Sequence, residues 1–281
     1  MNGIINVNKL QGVSSAREVA RIKRITGISC GHMGTLDPMA SGVLPIAVGN
    51  ATRLFDYLLT KTKTYVATFR FGEEYDTLDT TGTILKSGGR IPTREEIEKV
   101  IPTLTGEIMQ IPPKYSAKNI GGKRGYQLAR AGVEFELPPK KVKIDTINLL
   151  DFEGNECKVE IVCGGGTYVR SIGRDMACAL DTFAAMSSLI RTASGPFNIE
   201  NSVNTEELTS ENVERYLIPC DGIINYPCVN LSEKEAKKLF NGISIQCCQA
   251  DGLYKIYAPN GSFYGISEVN GGIMKVRTKL C

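Results

Sequence analysis

The sequence predicts an α+β protein in two parts: a larger domain mixing strands and helices over residues 1–220, and a small β-rich module over 225–281. Three observations carry this expectation. The 281 residues suffice for about two hydrophobic cores. Periods of two and of 3.6 residues interchange along the first 220 positions. Beyond a change of composition near 219–227, short strands follow at close spacing, expected to close as a barrel that hides its edges.

Taken in order, Ile4, Ile5 and Val7 mark an apolar strand. A helix follows, with Ser15 and Glu18 spaced as a capping box, Gly27 as its stop, and Arg17, Arg21 and Arg24 on one stripe. Residues 31–53, rich in Gly and Pro, read as an irregular loop with short extended pieces. Tyr65, Ala67, Phe69 and Phe71 alternate with Val66, Thr68 and Arg70, the period of a half-buried strand. Thr93 and Glu96 cap a helix that Pro102 ends or kinks. Residues 111–141 read as an extended arm or flexible finger with one short helix near 126–131. A strand over 157–163, a turn at Gly164–Gly166 and a helix over 168–180 form the next unit, and a short strand surrounds Leu189. In the tail, Ser232 and Glu235 cap a short helix stopped by Asn241 and Gly242, and strands are expected at 253–258, 262–266 and 273–278.

Composition narrows the function. Apolar residues are 42%, charged residues 22% and aromatics 7%, with no Trp, which excludes collagen, coiled coil and intrinsic disorder. No apolar run approaches the ~18 residues of a membrane span, and the start lacks the basic and apolar regions of a secretory signal, so a cytoplasmic protein without membrane attachment is expected. Nine cysteines, an odd number without a CxxC pair, read as reduced and mostly buried thiols; with His32 the only histidine, no metal site is expected. The net charge of +3 is unevenly spread. Residues 114–143 hold eight basic against two acidic residues, and residues 9–24 hold five against one, the pattern of a polyanion footprint or of two solvated faces.

The segment GHMGTLDPMASG (31–42) carries the densest chemistry. Asp37 precedes Pro38, which pushes its backbone to extended conformations and preorganises a carboxylate for nucleophilic work; Asp before Pro is also an ordinary turn initiator. A nearby guanidinium would keep such a carboxylate ionised, and Arg53, Arg170, Arg174 and Arg191 are the candidates. Arg170 follows a Gly-rich turn and opens a helix, in GGGTYVRS. Tyr65 opens its strand and offers a ring for stacking, or is its first core residue. A glycosidase pairing Asp37 with Asp76 or Asp79, and an RNA-folding protein that needs no carboxylate, are the alternatives.

GHMGTLDPMASGVLPIAVGNATR, KTKTYVATFRFGEEYDTLDTTG, PPKYSAKNIGGKRGYQLARAG, GTYVRSIGRDM and LIRTASGPF resemble, in order and spacing, the bacterial tRNA pseudouridine synthase B family over nearly the whole chain. Leu10, Gly165 and Ile190 depart from its pattern. The resemblance implies a mixed-sheet pseudouridine-synthase catalytic domain with helices and loops around a cleft, followed by a C-terminal β-barrel of the PUA type. It implies an isomerase that converts the T-loop uridine of tRNA (position 55) to pseudouridine. Asp37 is then the nucleophile, Arg170 its ion-pair partner, Tyr65 the stacking residue and general base, Leu189 a wall of the pocket, and His32 the residue that fills the place left by the base. Attack by Asp37 on the ribose and assisted elimination to a glycal both use that carboxylate. The bond change needs no redox step, so no cofactor is expected, and the base must leave its stack. Lys9 and the finger at 121–141, with Lys123, Arg124 and Arg130, are expected to bind the RNA at its T-loop and elbow, and the enzyme to act as a monomer without an obligate protein partner.

Overall fold

The structure, a computed structural model, describes residues 1–59, 62–116 and 118–280. Among them a ten-stranded mixed sheet runs in the order Leu217–Ile218, Gly3–Lys9, Ser41–Val48, Ala184–Ser194, Lys63–Phe71, Glu156–Cys163, Lys140–Glu153 and Gly106–Gln110, with Cys30–His32 and Phe197–Asn198 paired off this path. Its one parallel contact sets Ile190 opposite Ser41 and Arg191 opposite Gly42, which lays the end of the 33–40 loop beside Arg191.

The Lys63–Phe71 strand lies inside this sheet, and the alternation foreseen for it is real: Tyr65, Ala67, Phe69 and Phe71 are buried while Thr64, Val66, Thr68 and Arg70 are half-exposed. The Val169–Ala179 helix packs over that buried face. A Cβ on Gly173 would stand 2.5 Å from the Phe69 ring, so only glycine lets the helix come this close.

Five expectations change. The first helix, Ser15–Thr26, is capped by Ser14, whose hydroxyl accepts from the Arg17 N–H; Ser15 is instead buried and bonds elsewhere, and Glu18 turns inward onto the Thr205 hydroxyl. Residues 31–53 are not mainly loop, since Ser41–Val48 is an eight-residue strand with seven buried positions; burial of Val43, Leu44, Ile46 and Val48 outweighs the propensities of Gly42 and Pro45. The strand at Leu189 is eleven residues long, and the basic arm ends in a fourteen-residue strand, Lys140–Glu153, whose exposed charges hide its period.

A fifth concerns the tail, which is an open, curled half-barrel and not a closed barrel. Its strands run Cys228–Asn230, Gly252–Tyr257, Phe263–Asn270, Ile273–Lys279 and Ile245–Gln246, and the two outer ones do not pair with each other. Those outer strands have three and two residues, too short to template further pairing. The Glu233–Phe240 helix covers the core in place of more strands, with the Phe240 ring stacked 3.6 Å from that of Tyr264. No helix among the described residues is long and apolar enough to cross a membrane.

The cysteines divide more evenly than expected. Cys157, Cys163 and Cys220 are buried, Cys30 and Cys247 half-buried, and Cys178, Cys228 and Cys248 exposed, all of them free thiols; Cys281 lies outside the described residues. Burial pushes the Cys157 thiol up to about 12 and those of Cys163 and Cys220 up to about 11. Iodoacetamide at pH 8 is therefore expected to label Cys178, Cys228 and Cys248 in the folded protein, and the buried three only on unfolding. Peptide mass spectrometry of the labelled protein checks this, and fast labelling of Cys157 in the fold contradicts it.

Candidate active site

The loop that carries Asp37 is held from three sides. Ser15 Oγ donates to the Leu36 carbonyl at 2.8 Å and accepts from the Leu36 N–H at 2.9 Å. The Gly12 N–H reaches the Pro38 carbonyl at 2.7 Å, and Arg191 Nη2 reaches the Gly34 carbonyl at 3.0 Å. Leu36, Met39 and Ala40 anchor the same loop in the core, while Asp37 between them turns partly outward, with its side chain 37% exposed.

Arg170 meets it from the first turn of the Val169–Ala179 helix. Its Nη2 lies 2.9 Å from Asp37 Oδ2 and donates to the Tyr115 carbonyl at 2.9 Å; its Nη1 donates to the Thr77 carbonyl at 2.8 Å and lies 3.5 Å from Asp79 Oδ2. Asp79 is itself buried and accepts from the Thr77 and Thr81 hydroxyls and the Thr81 N–H. A planar fork with this many acceptors has one allowed orientation, which fixes the Asp37 carboxylate. The same bonds occupy Asp79, and Asp76 is taken by the Thr83 N–H and the Tyr115 hydroxyl, which leaves neither as the second acid of a glycosidase pair.

A cleft of about 520 Å³ opens here, within the usual range for a small-molecule site. Asp37, Tyr65, Arg170 and Leu189, brought from four separate segments, all line it. Lys63, Lys118, Lys140 and Arg191 line it too, so the cations around Asp37 far outnumber its single negative charge. Burial, and next the neighbouring Arg191, pull the Lys63 ammonium down to about 8. Burial raises the Tyr65 phenol, and the Arg191 guanidinium, hydrogen-bonded to it, works in the other direction. His32 stands on the Cys30–His32 strand and is not among the lining residues; its Nδ1 is buried without a partner among the described residues, and burial and Arg191 both lower its pKa, which keeps the ring neutral.

Lys9 is a correction. Expected on the RNA face, it is fully buried, and its Nζ donates to the carbonyls of Leu10, Val13 and Pro38 at 3.1, 2.7 and 3.3 Å. It braces the Asp37 loop from behind, because the last inward position of its strand faces that loop and not solvent. Burial lowers this ammonium to about 8, against the pull of Glu18 and Asp37.

The finger carries its own small hairpin, and its later residues, 129–139, line a pocket against Glu74, Asp76 and Arg174 of the body. Asn119–Ile120 pairs with Lys123–Arg124 around Gly121 and Gly122, and the Gly125–Arg130 helix follows. Lys123 and Arg130 are exposed, with the Arg130 guanidinium 5.8 Å from the centre of the Tyr126 ring; the Arg124 side chain lies outside the described residues. These residues stand outside the cleft, whereas Lys118, at the finger's base, is inside it.

Two further residues are central to the geometry. Arg191, 1% exposed, donates through Nε to the Val43 carbonyl at 2.7 Å as well as to Gly34, and so ties the Asp37 loop to the strand that carries Leu189. Asp79 sits in the motif EEYDTLDTTG, where the run of threonines around one aspartate was the available signal for a buried carboxylate.

Known proteins resemble this chain over nearly its whole length. Residues 18–169 match the family described as "TruB family pseudouridylate synthase (N terminal domain)", and residues 227–278 match "Pseudouridine synthase II TruB, C-terminal". The tRNA pseudouridine synthase B of Clostridium kluyveri is 38% identical over 95% of both chains. That of Caldanaerobacter subterraneus subsp. tengcongensis is 40% identical over 99% of this chain and 98% of its own. Among solved structures, a chain of the archaeal box H/ACA sRNP Nop10-Cbf5 complex superimposes with a TM-score of 0.73 at 23% identity, covering 99% of this chain and 86% of that one, which places the two in one fold.

Proposed function

The chain belongs to the TruB family of pseudouridylate synthases, and with that as premise we propose that it isomerises the T-loop uridine at tRNA position 55, using Asp37 as nucleophile on a base flipped into the cleft. As a family member it is an isomerase that turns a tRNA uridine into pseudouridine. The observation that carries the finer assignment is the 2.9 Å contact between Arg170 Nη2 and Asp37 Oδ2 inside a cleft walled by Tyr65 and Leu189. A carboxylate held at one orientation beside an aromatic ring is suited to attack or assist at a ribose carbon while the freed base turns against the ring.

Tyr65 then stacks on the uracil and takes the proton from carbon 5, with the Arg191 guanidinium easing the phenol toward the anion. Leu189 closes the apolar side, and neutral His32, close behind the cleft, enters the gap in the loop. Because a T-loop uridine is stacked, it must leave the loop to reach Asp37; the exposed cations of the finger hold the RNA backbone while it does so. We take the enzyme to act as a monomer without an obligate protein partner, in the cytoplasm. We place the division of labour between a catalytic domain, 1–220, and an RNA-binding half-barrel, 225–281, of the PUA kind.

A single-turnover assay on an unmodified tRNA transcript, tritiated at carbon 5 of its uridines, tests this. One tritium released per tRNA, and none when the T-loop uridine is replaced by cytidine, is the expected result. Release that survives that replacement overturns the T-loop assignment.

A further inference from the structure

The turn that precedes Arg170 has a feature that the chemistry above does not use. Its ends are pinned: the Gly164 N–H donates to the Lys143 carbonyl at 2.8 Å, and the Thr167 hydroxyl donates to the Gly164 carbonyl at 2.9 Å. Gln110, nearly fully buried, grips Tyr168 twice, accepting its N–H at 2.8 Å and donating to its carbonyl at 3.1 Å. Between these clamps the N–H groups of Gly165, Gly166 and Thr167 find no acceptor among the described residues. Gly166 has φ +85°, and the turn opens directly into the Val169–Ala179 helix. Successive free N–H groups around a left-handed residue, at the positive end of a helix, form a concavity for an anion.

Lys140 stands over this concavity. It is the cross-strand neighbour of Gln110, and its Nζ lies 2.7 Å from the point a Cβ on Gly166 would occupy. It makes no ion pair or hydrogen bond among the described residues. An ammonium and the free N–H groups of a helix start repel, so no partner within the protein accounts for their approach; an anion between them makes all of them its ligands. Ser116, also buried, stands on the wall of the same cleft near Tyr168, and its Oγ has no partner at hydrogen-bond geometry among the described residues. Lys140, Gly166 and Thr167 share that cleft with Asp37 and Tyr65.

We propose that Lys140 and the bare 164–167 turn form a subsite for a backbone phosphate next to the target uridine. A uridine between Asp37 and Tyr65 carries a phosphate on each side of its ribose, and one of them seats here. The subsite rests on the isomerase assignment and adds a residue that sets how the nucleotide enters. Lys140 holds the substrate and touches no reacting atom.

Steady-state kinetics on a tritiated T-arm RNA test it. Lys140→Gln is expected to raise KM about tenfold, with the loss on KM and not on kcat, and to lower the slope of log KM against log salt by about 0.7, the value for one single-strand phosphate. Lys140→Arg restores most of the loss. Gly166→Ala, which puts a methyl where the ammonium sits, reproduces the Lys140→Gln loss if the variant folds. A neutral methylphosphonate placed 5′ or 3′ of the uridine identifies the phosphate: at one of these two positions Lys140→Gln costs nothing further. An unchanged KM in Lys140→Gln, or the same penalty with both neutral linkages, overturns the subsite. Absence of tritium release from the wild type on this RNA overturns the isomerase assignment instead, so the two failures are told apart.

Discussion

Asp37→Asn is expected to lose about four or more orders of magnitude in single-turnover tritium release, because the amide is neither a nucleophile nor a base, while the shape of the loop is kept. The loop does not depend on the carboxylate: Ser15, Gly12, Arg191 and Lys9 bind its backbone at Leu36, Pro38 and Gly34. Arg170 keeps Asp79 and two carbonyls, so the helix carrying it stays in place. Affinity for tRNA is expected to hold or rise. Removing the charge of Asp37 leaves Lys63, Lys118, Lys140, Arg170 and Arg191 facing the phosphates without it. Filter binding beside the tritium assay separates the two quantities. Wild-type turnover in Asp37→Asn removes this residue from the nucleophile role; lost turnover together with lost binding makes it a substrate anchor.

Much of this site was legible because its signals are local. Pro38 restrains Asp37 wherever the chain goes, and the alternation from Tyr65 to Phe71 identifies a face before its neighbours are known. The capping boxes at Thr93 and Ser232 hold for the same reason, since each is closed within four residues. What stayed hidden depends on partners far along the chain. Lys9 belongs to a basic window, and nothing local says that its ammonium turns inward to the carbonyl of Pro38. Arg191 was one of four candidate cations, and its burial follows from a short parallel contact between strands nearly 150 residues apart. Ser41–Val48 carries a glycine and a proline that argue against a strand, and tertiary burial decides otherwise. The tail's strands were readable one by one, but whether they close is set by the two shortest, Cys228–Asn230 and Ile245–Gln246, and by the helix laid across them. The resemblance located residue types in order, and only the fold shows that Asp79 and Asp37 grip one guanidinium from two sides.

That shared guanidinium makes Arg170→Lys the second large expected effect. The arginine spans two carboxylates and two carbonyls, with its side chain only 7% exposed. A lysine keeps the charge but is a point donor that cannot reach both sides, so it settles on buried Asp79 and leaves Asp37 free to turn. Displacing a reacting group by about 1 Å costs on the order of 100-fold, and kcat is expected to fall by about 100- to 1,000-fold. Carbonyls of Thr77 and Tyr115 left unpaired lower stability by about 1–3 kcal/mol. Arg170→Met goes further, because it strands the Asp79 charge in the interior at a cost of about 3–5 kcal/mol. Adding Asp79→Leu to Arg170→Met removes that stranded charge and is expected to recover much of the lost stability in urea unfolding. It is not expected to recover turnover, since Asp37 remains without its partner. Stability and activity that return together would place the importance of Arg170 in folding alone, whereas stability that returns without activity assigns its Asp79 contact to the fold and its Asp37 contact to the reaction.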